Sequence, residues 1–81
     1  MQNNKRFIIA GKAYTTSKED VLGKMKGVDP ELPKYYYVII NKKKYPPKQI
    51  LAVLFGLIRS EFTTNNAISV LKNLGFEIKK F

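Results

Sequence analysis

At 81 residues, with 44% hydrophobic and 12% aromatic side chains, the chain has the material for one compact core and too little length for two. Cysteine and histidine are both absent, which excludes disulfides, zinc sites of the Cys/His type, cysteine nucleophiles and the usual neutral-pH proton carrier. Fifteen Lys/Arg against six Asp/Glu give a net charge of +9, a field that draws polyanions.

Met1 to Arg6 carries positive charge but precedes only four apolar residues, so no secretory leader is expected. The longest apolar run, Ile50 to Ile58, falls well short of the ~20 residues that cross a bilayer. The expectation is a cytoplasmic protein with no membrane partner. Arg6 to Thr16 reads as a short strand or hairpin at a sheet edge, with a turn at Gly11-Lys12. Ser17 and Asp20 set a capping signal, with Glu19 and Asp20 in the first turn where the helix dipole favours acids. Val21, Leu22 and Met25 follow at helical spacing, and Gly27 ends this first helix.

Beyond the Asp29-Pro30 to Pro33 connection, Tyr35 to Ile40 is an unbroken aromatic and β-branched run and predicts a central strand. Alternate tyrosines of a strand point to opposite faces, so Tyr35 and Tyr37 cannot share a surface with Tyr36. Asn41 to Tyr45 turns back into a second strand around Lys44-Tyr45, a hairpin whose tip is lysine. Pro46-Pro47 opens a helix over Lys48 to Ile58, apolar enough to be buried nearly all round. Arg59 to Phe62 breaks it. Thr63 or Thr64 then caps a third helix that buries Ala67, Ile68, Leu71 and Leu74 until Gly75 stops it, and Phe76 to Ile78 alternates as a last strand. The fold class expected is α+β: a small antiparallel sheet packed with three helices in one basic domain, 1–81. Helices two and three and the strand after them have the order of a winged helix-turn-helix.

Four of the six acids, Glu19, Asp20, Asp29 and Glu31, fall in one early stretch, whereas Leu32 to Ser60 holds six positive charges and no negative one. Lys42, Lys43 and Lys44, flanked by Lys34, Tyr45 and Lys48 and joined by Arg59, form a candidate phosphate-binding surface that gains entropy by releasing counterions. A tyrosine left exposed beside those lysines would stack on an unpaired base. Thr63, Thr64, Asn65, Asn66, Ser69 and Lys72 line the start and outer face of the third helix, where amides and hydroxyls meet phosphates or base edges, with Asn65 and Asn66 as the base readers. An ordinary N-capped helix with a solvated face accounts for the same residue types. No catalytic residue, metal site or cofactor is expected, because the acids mostly serve caps and turns and Glu61 and Glu77 make no convincing metal pair.

Residues 36–76 also resemble the N-terminal module of McrA-type modification-dependent HNH endonucleases and related small stand-alone proteins. The resemblance rests on a strand pair leading to Tyr45-Pro46-Pro47-Lys48, an apolar helix ending near Gly56, the turn Glu61-Phe62-Thr63 and a final Leu74-Gly75-Phe76. It implies a non-catalytic module of DNA-processing machinery, the nuclease domain itself being missing here. The resulting expectation is nucleic-acid binding, with DNA favoured over RNA. The alternative is a phage or mobile-element protein whose basic surface binds and inhibits a nuclease or defence complex. A third reading places Phe55 or Leu57 of the apolar helix in a dimer seam.

Overall fold

In the computed structural model, which describes residues 4–81, the chain runs β1 (Lys5–Ile9), β2 (Lys12–Thr16), α1 (Lys18–Lys24), β3 (Tyr36–Ile40), β4 (Lys43–Tyr45), α2 (Pro47–Phe55), a 3-10 turn (Arg59–Glu61), α3 (Thr64–Asn73) and β5 (Lys79–Lys80). Residues 1–3, the start of the charged N-terminal segment, lie outside the described residues. The architecture is α+β, but the strands form two antiparallel sheets rather than one: β1 pairs only with β2, while β4, β3 and β5 make a second sheet with β3 in the middle.

Both hairpins turn on two residues of positive φ, the twist that matches the right-handed coil of the flanking strands. In the first, these are Ala10 (φ 52) and Gly11 (φ 77), so the turn sits one residue earlier than expected and Lys12 pairs with Ile9. In the second they are Asn41 (φ 52) and Lys42 (φ 66). The register Ile40↔Lys43, Ile39↔Lys44, Val38↔Tyr45 follows from that turn. Only Lys42 occupies the tip; Lys43 and Lys44 belong to strand β4.

The helix starts follow their sequence signals, but two of the ends come early: α1 stops at Lys24, short of the Gly27 expected to end it, and α2 covers Pro47–Phe55 where Lys48 to Ile58 is expected. Ser17 Oγ accepts the Asp20 amide at the start of α1, and Thr63 Oγ1 accepts the Asn66 amide at the start of α3. α2 starts on Pro47, where the missing N–H is no loss, and stops at Gly56 in the left-handed conformation. At the end of α3 the Gly75 amide bonds Lys72 O and the Phe76 amide bonds Leu71 O, both at 3.0 Å. This is the Schellman arrangement that a glycine beyond the cap permits.

Phe76 is thereby drawn into the core, and the alternation at 76–78 serves packing instead of a ladder. The backbone reaches β3 only at Lys79 and Lys80, which face Tyr37 and Tyr36. This displaces the last strand from its expected place.

Val21, Met25, Val38, Ile40, Tyr45, Ile50, Leu51, Ala67 and Leu71 are essentially inaccessible and anchor one buried cluster shared by the helices and the inner face of β3. α2 is deeply buried through Leu51, but Ala52 to Phe55 are only half-buried. The expectation of a helix buried all round fails over its second half. Part of that apolar surface is covered by the first hairpin: the Phe55 and Tyr14 rings stack with centroids 4.5 Å apart, so Phe55 packs within the chain. The helix-turn-helix likeness is one of order only. α2 and α3 pack together, but their connection covers 56–63, longer than the about three to four residues of that motif. The strand after α3 joins β3 and builds no wing of its own. No helix among the described residues is long and apolar enough to cross a membrane.

Candidate nucleic-acid interface

The segment between α1 and β3 has no regular structure, yet two buried side chains pin it. Tyr45 Oη donates to Val28 O at 2.6 Å. Gln49 Nε2 donates to Asp29 O at 2.9 Å, and Gln49 Oε1 accepts the Glu31 amide at 2.8 Å. These bonds satisfy backbone groups that no ladder or helix reaches, and they hold Glu31, Leu32 and Lys34 against the start of α2.

Lys34, Tyr35, Tyr36, Pro47, Lys48 and Arg59 line a cleft of about 370 Å³, closed on one side by Glu31 and Leu32 and bordered by Thr64 of α3. First-turn residues of both helices, Pro47 and Lys48 of α2 and Thr64 of α3, therefore border one concavity. A shallower groove of about 610 Å³ lies on the other side of the Pro30 to Pro33 segment, walled by Lys42, Lys43, Lys44 and Phe81. Lys34, Lys42, Lys43, Lys44, Lys48, Arg59 and Thr64 thus collect on two concavities that share Glu31 and Leu32 as a partition.

Three of the expected contacts need correction. Tyr45 is 1% exposed and its hydroxyl is consumed by Val28, so it is a core residue with no surface to offer a nucleic acid. The Arg59 guanidinium is committed to Glu31 through two hydrogen bonds of 2.7 and 2.6 Å. Those bonds, with the guanidinium charge behind them, outweigh a small desolvation and hold the Glu31 carboxyl below its usual range; they hold Arg59 above its own. The acid-free stretch counted from Leu32 therefore gains a carboxylate, because Glu31, one residue before it, folds back onto Arg59. Asn66 closes the capping box: its Oδ1 accepts the Thr63 amide at 3.0 Å, which removes its acceptor from base reading.

Lys48 is half engaged, its ammonium donating to Arg59 O at 2.6 Å while lying 5.0 Å from the Phe62 ring centroid. Asn65, Ser69 and Lys72 lie along the outer side of α3 and are exposed. Lys72 is eight residues from Thr64, about 12 Å along the axis, so this polar stripe leads away from the cleft.

Gln49 was not among the candidate residues, although its burial and its double clamp on Asp29 and Glu31 position the whole partition. The signal available was a lone amide, next to Lys48, at the start of a helix that is apolar from Ile50 onward.

Among the described residues no three His, Cys, Asp or Glu side chains group in a way that could hold a metal ion. A family profile described as SCO5918-like matches residues 5–81, every element of the fold. The chain belongs to the SCO5918-like family. No curated protein and no solved structure matches it. The cleft, the lysine groove and the Gln49 clamp of this SCO5918-like chain all lie within the matched span.

Proposed function

We propose that this chain is a non-catalytic, cytoplasmic nucleic-acid-binding module, with DNA the favoured ligand. The observation that carries the reading is the meeting of two helix N-termini with Lys34 and Lys48 in one cleft, beside a groove walled by Lys42, Lys43 and Lys44. Helix N-termini and lysines are the groups that take backbone phosphates, and such contacts need no sequence code. The net charge of +9 supplies the long-range attraction, and a sequence without histidine or cysteine offers little for catalysis. The resemblance of 36–76 to the McrA-type module supports a place beside DNA-processing machinery. The test is fluorescence anisotropy with duplex and single-stranded oligonucleotides at about 50 and 200 mM salt, where a phosphate-bound ligand weakens steeply as salt rises. Absence of binding at the lower salt would sink this reading. It would favour an acidic protein surface as partner, an alternative supported by Leu32, 91% exposed at the lip of both concavities.

The backbone of the lysine hairpin supports the same surface. Lys42 holds a left-handed conformation at the second turn position, where glycine is favoured, at a cost of about 1–2 kcal/mol. Lys42→Gly is expected to raise stability by roughly 1 kcal/mol in urea denaturation while lowering oligonucleotide affinity several-fold. A variant that gains stability and keeps full affinity would remove Lys42 from the interface.

Glu31 opposes an anionic ligand from within the cleft. Glu31→Gln is expected to strengthen binding several-fold and to steepen the logarithmic salt dependence by about 0.7 to 0.9, as one freed guanidinium joins the phosphates. The stability cost is under about 1 kcal/mol, since the pair is half exposed. The sign with pH is fixed by the lowered carboxyl: the pair's contribution is present above the unfolded carboxyl's pKa and is lost as pH falls through the lower folded value. The gain from Glu31→Gln should therefore persist at neutral pH and shrink only under strong acid. Equal affinities for the wild type and this variant would show that Arg59 does not contact the ligand.

A further inference from the structure

The outer face of the β4-β3-β5 sheet, opposite the buried Val38 and Ile40, carries Tyr35, Tyr37 and Ile39 from β3 and the strand entry before it. Lys44 stands across from Ile39 and Lys79 across from Tyr37. The Phe81 amide bonds Tyr35 O at 3.1 Å and extends the ladder by one step, which brings the Phe81 ring onto the same face. Phe81 and Tyr37 meet with centroids 4.7 Å apart, tilted by 41°, and the Lys44 ammonium lies 4.9 Å from the Tyr37 centroid and 5.8 Å from that of Phe81. Large apolar side chains in such positions are usually covered, yet Phe81 is 65% exposed, Tyr35 71% and Ile39 47%.

Charge decides what would cover them. Lys44 overlies the rings, and Lys42 and Lys43 line the groove that Phe81 borders. The acids nearby are Glu31, committed to Arg59, and Glu77, 3.3 Å from Lys79. An apolar second copy of the chain would bring the same lysines against themselves. A ligand that pairs flat, stackable rings with regularly spaced negative charge meets both features at once.

We infer that Tyr37, Phe81 and Lys44 form a stacking platform for an unpaired base, with its flanking phosphates on Lys42 and Lys43, so that the ligand is single-stranded or locally opened nucleic acid. This inference rests on the nucleic-acid reading above and adds the ligand's strandedness and a second contact type. In a duplex both ring faces of each base are already stacked on neighbours, whereas a single strand can lay a base on an aromatic side chain.

The test compares a single-stranded oligothymidine with an abasic strand of the same length, equal in phosphate charge, and with a duplex, all at about 50 mM salt. The platform predicts that the base-bearing strand binds roughly 5- to 150-fold more tightly than the abasic one. Phe81→Ala is expected to bring oligothymidine affinity down to the abasic level without changing abasic binding, and Phe81→Tyr to keep the preference. Thermal unfolding of each variant confirms that the fold is retained, as expected for a ring this exposed. Equal binding of base-bearing and abasic strands, or indifference to Phe81→Ala in a folded protein, overturns the platform and leaves the phosphate cleft standing. Failure of all three oligonucleotides to bind overturns both.

Discussion

Reversing Lys42, Lys43 and Lys44 together to glutamate is expected to lower oligonucleotide affinity by roughly 100-fold or more at low salt, since like charges set against phosphates cost several kcal/mol. The logarithmic salt dependence should flatten by about 2 to 3, the loss of three counterion-releasing contacts at 0.7 to 0.9 each. All three lysines are exposed, and none anchors the core cluster, so the fold should survive the change. A reversal of the same size at Lys12, Lys24 and Lys26, on β2 and around the end of α1, controls for net charge. Its effect on affinity should be several-fold at most. Wild-type affinity in the hairpin variant, or equal losses in both, would remove the hairpin from the binding surface.

Tyr45→Ala is expected to destabilise the protein by about 3–5 kcal/mol, the range for emptying a large buried aromatic site. In a domain of this size that lowers Tm by roughly 15 °C or more. Tyr45→Phe keeps the ring and leaves Val28 O without its donor, at about 1–3 kcal/mol, with unchanged oligonucleotide affinity at temperatures where it is folded. A tyrosine acting at the surface would behave in the opposite way: both replacements would leave the stability within about 0.5 kcal/mol of wild type. Thermal unfolding followed by circular dichroism, with anisotropy on the folded variants, separates the two cases. The outcome matters for the partition as well, because the Tyr45 and Gln49 bonds together hold the segment from Val28 to Glu31 in place.

Tyr45 also shows where reading the chain as a string falls short. Next to three lysines it looks like part of a polar hairpin tip. Pairing with Val38 puts it on the inner face instead, one step along the strand from the solvent-facing Lys44. Strand alternation is local, but which face becomes the core depends on where α2 docks. Arg59 and Glu31 are similar. Each is an ordinary surface charge in the sequence, and their bidentate pair forms where the fold brings Glu31 beside Arg59, with Gln49, on α2, holding the Glu31 amide. The platform of Tyr37, Phe81 and Lys44 joins β3, β4 and the residue just beyond the two-residue strand β5, and the alternation at Phe76 to Ile78 does not announce it.

By itself the sequence determined the α+β class, the caps at Ser17 and at the Thr63-Thr64 pair, the stop at Gly75, the Tyr35 to Ile40 strand as the sheet centre, and the concentration of positive charge in the middle of the chain. These depend on interactions within a few residues, or on composition, and so can be read along the chain. Tertiary structure alone decided that there are two sheets, that the last strand forms at Lys79, that Tyr45 is core and Arg59 neutralised, and that lysines from separate elements border shared concavities. Each of these depends on which of several locally acceptable faces buries the most apolar surface, and on which backbone groups are then left needing a partner. That balance is struck over the whole chain, by the docking of α2 and the pinned segment it holds.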